Sequence, residues 1–329
     1  MSIVTEFLDA HPLDDTVLKI QRNEELLLTN PDMKNFKKRE HEALGVIHFP
    51  TEFIPQPFSR PRSVYESDHL RVEWQQMNGR QPFYHRNADA DELSFQVSGP
   101  RTLMTEYGTV ELRPGDFSRI PVGVAHDNFG RGEIHILFYV PAPVHECAQA
   151  KFTGELRIPP FEGWEAKAIP EVMTACIGGP ECDIAVGLVD EKLLLQHADT
   201  IDKTKRIQVL QPERAEGKTE WLYKSKHVWI GYTKQSGGDS ADTVYKRHRQ
   251  AEEIQYQVSG KRTVVSQRGI VSLEPGDFIN IPFGVGFTEV AQEASEHISI
   301  LTHNVTPPKA PFAKQAGPTS WVAVQTLRK

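Results

Sequence analysis

The chain has 329 residues, of which 39% are hydrophobic and 25% charged, and its formal net charge is −7. This composition is typical of a globular protein with a large core, and the acidic balance without a concentrated basic face argues against a nucleic-acid partner. The N-terminal residues lack a basic and apolar leader, and no stretch approaches 18 consecutive apolar residues. We therefore expect no signal peptide and no membrane partner.

The number of cysteines indicates the redox character of the protein's cellular compartment. Cys147, Cys176 and Cys182 are an odd number of cysteines in a large chain. They predict a reducing, cytoplasmic location without a disulfide framework, and we expect them to be ordinary semi-buried thiols.

The predicted elements begin with one helix and continue as short strands. VLKIQRNEELLL, residues 17–28, predicts a helix that ends at Asn30-Pro31. Further along, TLMTEYGTVEL, DFSRIPV and EIHILFYV alternate apolar and polar residues between glycine and proline turns. This pattern is typical of antiparallel strands.

An internal repeat organises the chain. YHRNADADELSFQVSG, residues 84–99, returns as YKRHRQAEEIQYQVSG, residues 245–260. Equivalent residues share one offset of 161, as in the pairs Glu92 and Glu253, Gly99 and Gly260, Gly115 and Gly276, Pro121 and Pro282, and Gly123 and Gly284. The repeat predicts two tandem β-barrels or sandwiches.

Three residues of the first repeat predict a metal site. Residues i and i+2 of a strand share a face, so His85 and Asn87 point together, and His126 follows a Pro-x-Gly turn on another strand. If these strands and that of Glu92 line one barrel, two imidazoles and a carboxylate converge with open positions, as in non-haem Fe(II) sites. Mn, Ni, Cu and Zn remain possible. Asn87 is a weak oxygen ligand or hydrogen-bonds a bound ligand, and alternation places Asp91 on the opposite face.

The second repeat has different residues at the equivalent positions. Lys246, His248, Glu253 and Phe287 stand there, and phenylalanine cannot ligate a metal. We therefore expect a degenerate, structural barrel without a metal. An internal ion pair between Lys246 and Glu253 is left open.

The repeated segments resemble the two motifs of the cupin superfamily, with asparagine in place of one histidine. The motifs are His85-x-Asn87-x4-Glu92-x6-Gly99 and Gly115-Asp116-x4-Pro121-x-Gly123-x2-His126. The resemblance implies a bicupin, mainly β, with tandem double-stranded β-helix (jelly-roll) barrels and a partly helical N-terminal extension. The implied domains are an extension at 1–67, a metal-binding barrel at 68–145, a connector at 146–226, a structural barrel at 227–305 and a tail at 306–329.

The segment YHRN is similar to the iron-binding segment of homogentisate 1,2-dioxygenases and of the large subunit of hydroquinone 1,2-dioxygenases. The placement of the metal ligands in the first barrel is similar to that in gentisate dioxygenases. These resemblances imply that His85, Glu92 and His126 bind Fe(II), with Asn87 beside the metal, in an enzyme that cleaves the ring of a hydroxylated aromatic compound.

Such chemistry needs a group that orients or deprotonates the substrate hydroxyl, and the candidates are Tyr84, Gln96 and His135. His69 is a weaker candidate, and Arg86 is expected to face away from the metal. The predicted partners are an aromatic substrate, dioxygen and further copies of the chain in a homo-oligomer. The alternatives are another metal-dependent cupin enzyme (a non-aromatic dioxygenase, an isomerase or a lyase) and a non-catalytic ligand-binding bicupin.

Overall fold

The computed structural model describes residues 2–11, 14–29, 42–57, 60–141, 146–177, 182–213, 215–238, 243–303 and 305–327. The elements of the first half are β1 (Ile3–Ala10), β2 (Asp14–Asn23), α1 (Glu24–Leu28), β3 (Gly45–His48), β4 (Arg62–Ser67), β5 (Leu70–Arg80), β6 (Tyr84–Asn87), β7 (Ala90–Ser98), β8 (Arg101–Thr105), β9 (Gly108–Leu112), β10 (Phe117–Ile120), β11 (His126–Pro141), β12 (Glu146–Cys147) and β13 (Phe152–Thr153).

The second half contains β14 (Ala168–Ala175), β15 (Cys182–Asp190), α2 (Glu191–Gln196), two 3-10 turns (His197–Asp199 and Lys203–Lys205), β16 (Gln208–Leu210), β17 (Thr219–Lys224), β18 (Val228–Gln235), β19 (Val244–His248), β20 (Glu252–Ser259), β21 (Arg262–Ser266), β22 (Gly269–Leu273), β23 (Asp277–Ile281), β24 (Phe287–Val290), β25 (Ser295–Thr302), β26 (Lys314–Gln315) and α3 (Trp321–Leu327). None of the helices that the structure describes has the length and apolar character that a membrane span requires.

Two antiparallel barrels follow each other in the chain. In the first barrel, the long strand β11 pairs with β8 through its first residues and with β5 and β7 through the rest. In the second barrel the corresponding strand is split, so that β24 pairs with β21 while β25 pairs with β18 and β20. The fold class predicted from the sequence, mainly β with tandem jelly-roll barrels, is confirmed.

Each barrel is extended by a hairpin from the other half of the chain. β1 pairs in parallel with β19 of the second barrel, and β14 pairs in parallel with β6 of the first. The register is the same in both, since Glu6 lies opposite Tyr245 and Glu171 lies opposite the equivalent Tyr84. Two short strands extend the barrels in the same way. β3 pairs with β23 of the second barrel, and β16 pairs with β10 of the first. The domain boundaries predicted from the sequence stay a prediction.

A short helix after each hairpin begins with a buried glutamate that binds a barrel tyrosine. The hydroxyl of Tyr245 donates to Glu24 at 2.8 Å, and the hydroxyl of Tyr84 donates to Glu191 at 3.1 Å. The helices carry the related sequences EELLL and EKLLL. The internal repeat therefore extends beyond the two barrels to the hairpins and helices.

The helix predicted over residues 17–28 is wrong in its first half. Residues 17–23 form most of β2, which pairs antiparallel with β1, and the helix begins only at Glu24. Asn23 caps it by accepting a hydrogen bond from the Leu26 amide at 3.1 Å. Backbone pairing within the hairpin outweighs the local helix propensity of this segment. The predicted stop at Asn30-Pro31 lies outside the described residues.

The hydrophobic core is continuous between the two barrels. Phe95 and Phe117 of the first barrel pack at a ring distance of 4.7 Å, and their equivalents Tyr256 and Phe278 pack at 4.6 Å. Phe95 also lies 6.4 Å from Tyr256 across the interface. Each such buried aromatic side chain contributes about 1.5–3 kcal/mol. The shared core makes the two barrels one packing unit.

The repeated motif glycines mark turns where a side chain does not fit. Gly99 has a φ of 66°, and a Cβ there would lie 2.6 Å from the Gly132 carbonyl oxygen. Gly260 has a φ of 65°, and its Cβ would lie 2.1 Å from the Ala294 oxygen. Positive φ and close backbone approach explain glycine at both positions.

Candidate metal centre

Three predicted ligands converge inside the first barrel. His85 lies on β6, Glu92 on β7 and His126 at the start of β11, and one possible ligand atom of each lies within 4.8 Å of the others. His126 pairs with His85 across the strands, and their rings lie 5.1 Å apart at 67°. His126 Nε2 is 3.2 Å from Glu92 Oε2. That these residues bind a metal stays a prediction.

Hydrogen bonds to other groups orient two of the ligands. The Nδ1 atom of His126 lies 3.1 Å from the Val124 carbonyl oxygen, which only accepts hydrogen bonds. Nδ1 therefore carries a proton, which leaves Nε2, on the side of Glu92, as the ring nitrogen that could bind a metal. The side-chain amide of Asn87 donates to Glu92 Oε2 at 3.1 Å, and its carbonyl oxygen accepts from Cys176 Sγ at 3.2 Å. These contacts make Asn87 a support for the carboxylate, and its role as a ligand stays a prediction.

The third ligand, His85, is held by a pair of residues from the β14–β15 hairpin. Its Nε2 lies 2.7 Å from Thr174 Oγ1, and that hydroxyl donates to Asp183 Oδ1 at 2.6 Å. Because the single hydroxyl proton points to Asp183, the hydroxyl accepts from His85 Nε2. Nδ1 is then the ring nitrogen with a lone pair. Partners that fix the tautomer of a ligating histidine in this way are typical of metal sites.

Charge states at the centre suit metal ligands. Burial alone would raise the pKa of Glu92, but the adjacent His126 outweighs it and lowers the pKa to about 2. Burial and the neighbouring His126 lower the pKa of His85 to about 4. Burial opposes protonation of His126, yet Glu92 raises its pKa above the ordinary value. An ionised Glu92 and a neutral His85 are in the forms that a divalent metal requires, and His126 would release the proton that Glu92 stabilises when a metal binds.

The three candidate ligands line one end of a cavity of about 410 Å³. Its apolar wall includes Phe83, Leu137, Tyr139 and Val172. Its polar wall includes Arg71, Glu73, Gln75, Asn128, His135 and Asp183. Arg71 donates from Nε to Glu73 Oε1 at 2.8 Å and lies 5.6 Å from the centre of the Tyr139 ring. The cavity therefore offers a surface for a ring as well as polar groups for a charged or hydroxylated substituent.

Of the three predicted catalytic residues, His135 lines this cavity. Its Nδ1 lies 2.9 Å from Glu133 Oε2, while its buried Nε2 has no hydrogen-bond partner among the described residues. Burial and the nearby Arg101 lower the pKa of His135, although Glu133 opposes them. His135 is thus a neutral imidazole with a free lone pair. Its catalytic role stays a prediction.

The other two candidates are occupied elsewhere. Tyr84 donates to Glu191 behind the barrel wall, and the amide of Gln96 donates to Glu133 Oε2 at 2.7 Å. Neither residue is among the described residues that line the cavity. Gln96 lies on β7 with Glu92, but a buried carboxylate, Glu133, holds its amide.

Three other residues considered in the sequence analysis do not line the cavity. Arg86 donates to Glu171 and Glu106, both at 2.6 Å, and does not line the cavity. Asp91 accepts from Arg119 at 3.0 Å on the opposite face from Glu92, as alternation predicts. His69 stacks on another histidine ring at 3.9 Å, away from the cavity.

Sequence reasoning missed the hairpin residues of the site. Thr174, Cys176 and Asp183 line the cavity, yet they lie about 90 residues beyond His85. Cys147 and Cys176 are free thiols, and burial raises the pKa of Cys176, so it stays a thiol that donates to Asn87. The related sequences EELLL and EKLLL were the signal that a repeated hairpin precedes each helix.

In the second barrel, the substituted positions make a different network. His248 Nε2 lies 2.6 Å from Glu253, and its Nδ1 lies 2.7 Å from Asp9 of β1. Lys246 faces Glu289, with Nζ 3.9 Å from Oε2, so the alternative partner Glu253 is not the nearest carboxylate among the described residues. The absence of a metal from this barrel stays a prediction.

Comparisons with known proteins found similar solved structures at low sequence identity and with TM-scores below 0.5. No protein-family model and no curated protein matches the chain. Similar solved structures are a cupin 2 conserved barrel domain protein from Leptotrichia buccalis (11% identity, 80% of this chain and 98% of that chain, TM-score 0.47) and a mutant of the oxalate decarboxylase OxdC of Bacillus subtilis (15%, 91% and 89%, 0.46). AerE from Microcystis aeruginosa is a third (13%, 74% and 97%, 0.43).

At such identities and TM-scores these neighbours transfer no substrate or reaction to this chain. The narrower resemblance to homogentisate and gentisate dioxygenases receives no support from them. The fold and the site together define a tandem-barrel protein with a candidate metal centre in the first barrel.

Proposed function

We propose that the chain is a metal-dependent enzyme whose first barrel holds one divalent transition metal through His85, Glu92 and His126. The convergence of two imidazoles and a buried carboxylate beside an open cavity carries this proposal. Such a ligand set suits Fe(II) in non-haem oxygenases, and the same donors also accept Mn, Ni, Cu and Zn. Fe(II) is the ion that we propose.

The reaction that we propose is the dioxygen-dependent ring cleavage of a hydroxylated aromatic compound. Fe(II) held by His85, Glu92 and His126 would supply the activation of dioxygen and of a phenolic oxygen. Phe83, Leu137 and Tyr139 provide the apolar wall against which a ring packs. His135 Nε2 is buried and without a partner among the described residues, so it accepts a proton from a substrate hydroxyl.

A second candidate is a metal-dependent reaction on a non-aromatic substrate, such as another dioxygenation, an isomerisation or a lyase reaction. The polar wall favours it, because Arg71, Glu73 and Gln75 are largely buried and border the cavity. These groups suit a substrate with carboxylate or hydroxyl substituents.

Oxygen uptake by the iron-loaded chain tests the proposal with hydroquinone, gentisate and homogentisate as probes. We expect a ring-opened product that contains both atoms of labelled dioxygen. Glu92→Gln removes the carboxylate charge at nearly constant size and should abolish uptake. The matched control His197→Gln changes an exposed histidine and should leave uptake unchanged. Product formed without oxygen, or labelled only from water, contradicts the dioxygenase proposal.

A further inference from the structure

The second barrel has a cavity of its own, of about 390 Å³. It opens at the place where the metal cavity opens in the first barrel. Four wall positions correspond at the offset of 161 residues, namely Phe83 and Val244, His85 and Lys246, His126 and Phe287, and Asn128 and Glu289. The two barrels therefore have cavities at equivalent positions, and different side chains line them.

A fixed positive charge replaces a metal-ligating histidine in this wall. The side chain of Lys246 is 37% exposed, and its Nζ lies 3.9 Å from Glu289 Oε2, which is longer than a hydrogen bond. Nζ makes no hydrogen bond to any residue that the structure describes. Burial alone would lower the pKa of Lys246, but Glu289 and Glu253 raise it, so the ammonium is charged. Lys246 therefore lines the cavity with a charged ammonium group that can donate to a ligand.

Glu289 is held by other groups. Its Oε1 accepts from Gln255 at 2.7 Å and from Arg262 at 2.7 Å, and its Oε2 accepts from Gln235 at 2.8 Å. These hydrogen bonds hold the carboxylate in place, and the charge of Lys246 attracts it over a longer distance. A negatively charged ligand that binds the ammonium does not need to break the hydrogen bonds of Glu289.

The rest of the wall is rich in hydroxyl and amide groups. Thr219 and Thr233 share one hydrogen bond of 2.8 Å between their hydroxyls, which leaves one of the two hydroxyl protons for another acceptor. The buried Oε1 of Gln235 has no hydrogen-bond partner among the described residues, and Ser236 lies beside it in the wall. An unsatisfied buried acceptor destabilises the fold, and a ligand hydroxyl that donates to it would remove this cost.

We propose that this cavity binds a small polyhydroxylated carboxylate of the sugar-acid class. The carboxylate contacts Lys246, and the ligand hydroxyls contact Gln235, Thr219 and Thr233. Phe287 occupies the position of the first barrel's His126, so the site works through a lysine charge and not through a metal. The proposal is independent of the metal centre and of the reaction in the first barrel.

Calorimetric titration of the intact chain with D-gluconate tests this site. D-Sorbitol, which has the hydroxyls without the carboxylate, and hexanoate, which has the carboxylate without the hydroxyls, are the matched probes. We expect gluconate to bind at millimolar or lower concentration and the other two to bind at least roughly tenfold more weakly. No measurable gluconate binding, or equal binding of sorbitol, overturns the proposal.

Variants locate the binding. Lys246→Gln should weaken gluconate binding roughly tenfold or more, whereas His85→Gln should leave it unchanged. If His85→Gln abolishes binding and Lys246→Gln does not, gluconate binds in the first barrel and the proposal fails. Thr233→Val changes no charge and serves if Lys246→Gln does not fold. It should weaken gluconate binding a few-fold and leave hexanoate unaffected, and wild-type affinity for gluconate in this variant contradicts the assignment.

Discussion

Thr174 holds the imidazole of His85 although the two residues lie 89 positions apart. Its hydroxyl oxygen is 2.7 Å from His85 Nε2, and the hydroxyl donates a hydrogen bond to Asp183. Thr174 reaches this place because β14, from the second half of the chain, pairs with β6 of the first barrel. The candidate metal centre is therefore assembled from both halves of the chain.

Thr174→Val should weaken metal binding, because it removes the acceptor that fixes the His85 ring at nearly constant side-chain volume. We expect a loss of about 10–100-fold in metal affinity, as for other partners of ligating histidines. Competition against a chelating dye measures it. Thr174→Ser keeps the hydroxyl and should bind nearly as tightly as the wild type. Equal affinities for the valine and serine variants contradict the positioning role.

His135→Gln should reduce turnover while the metal remains bound. His135 lines the cavity without belonging to the group of metal ligands, and its Nε2 is the proposed proton acceptor. Loss of a general base typically costs about 10²–10⁴ in rate. Steady-state kinetics with metal analysis of the same sample separates the two effects. A variant that loses its metal, or that keeps the wild-type rate, counts against this role.

The pH dependence of stability should report the His248 network. Burial would lower the pKa of His248, but hydrogen bonds to Asp9 and Glu253 outweigh it and raise the pKa to about 9. A raised folded-state pKa stabilises the fold below the ordinary histidine value of about 6.5, and this stabilisation is lost as pH rises through about 9. The full effect is on the order of 3 kcal/mol.

Urea unfolding between pH 6 and pH 10 measures this effect. The wild type should lose stability over the interval relative to His248→Gln. Asp9→Asn keeps a hydrogen-bonding side chain but removes one charge, so its loss should be smaller than that of the wild type. A difference between wild type and His248→Gln that does not change with pH refutes the assignment.

Phe287→Ala should destabilise the second barrel and spare the metal. The Phe287 side chain is fully buried within an apolar cluster, and replacing a buried phenylalanine by alanine costs about 3–5 kcal/mol. Phe287→Leu retains most of the volume and should cost less. Denaturant unfolding and metal analysis of the folded fraction check both statements. Loss of metal from folded Phe287→Ala would indicate that the two barrels are functionally coupled.

Local sequence patterns predicted the two barrels and the three candidate metal ligands. Period-two alternation, together with the repeated Gly-Asp and Pro-x-Gly turns, indicated tandem antiparallel barrels, because these signals are carried by neighbouring residues. The same alternation brought His85, Glu92 and His126 to one interior and put Asp91 on the other face.

Non-local pairing decided what local patterns could not. The β1 and β14 hairpins pack on barrels formed by distant parts of the chain, and no local spacing specifies that partner. Thr174 was missed for this reason. The helix prediction was wrong at residues 17–23 for another reason, because these residues pair with β1 in a hairpin. Gln96 illustrates a different limit, because a strand face gives a direction but not the buried carboxylate that holds the amide, and its catalytic role stays a prediction.

Elemental analysis of the purified chain tests the central claim most directly, namely that the metal site lies in the first barrel and uses His85, Glu92 and His126. We predict one transition metal per chain in the wild type and in His248→Ala. We also predict loss of the metal in His85→Ala and in His126→Ala, because two remaining protein ligands hold a divalent ion poorly. Two metals per wild-type chain, full occupancy in both first-barrel variants, or loss in His248→Ala but not in His85→Ala would contradict the account.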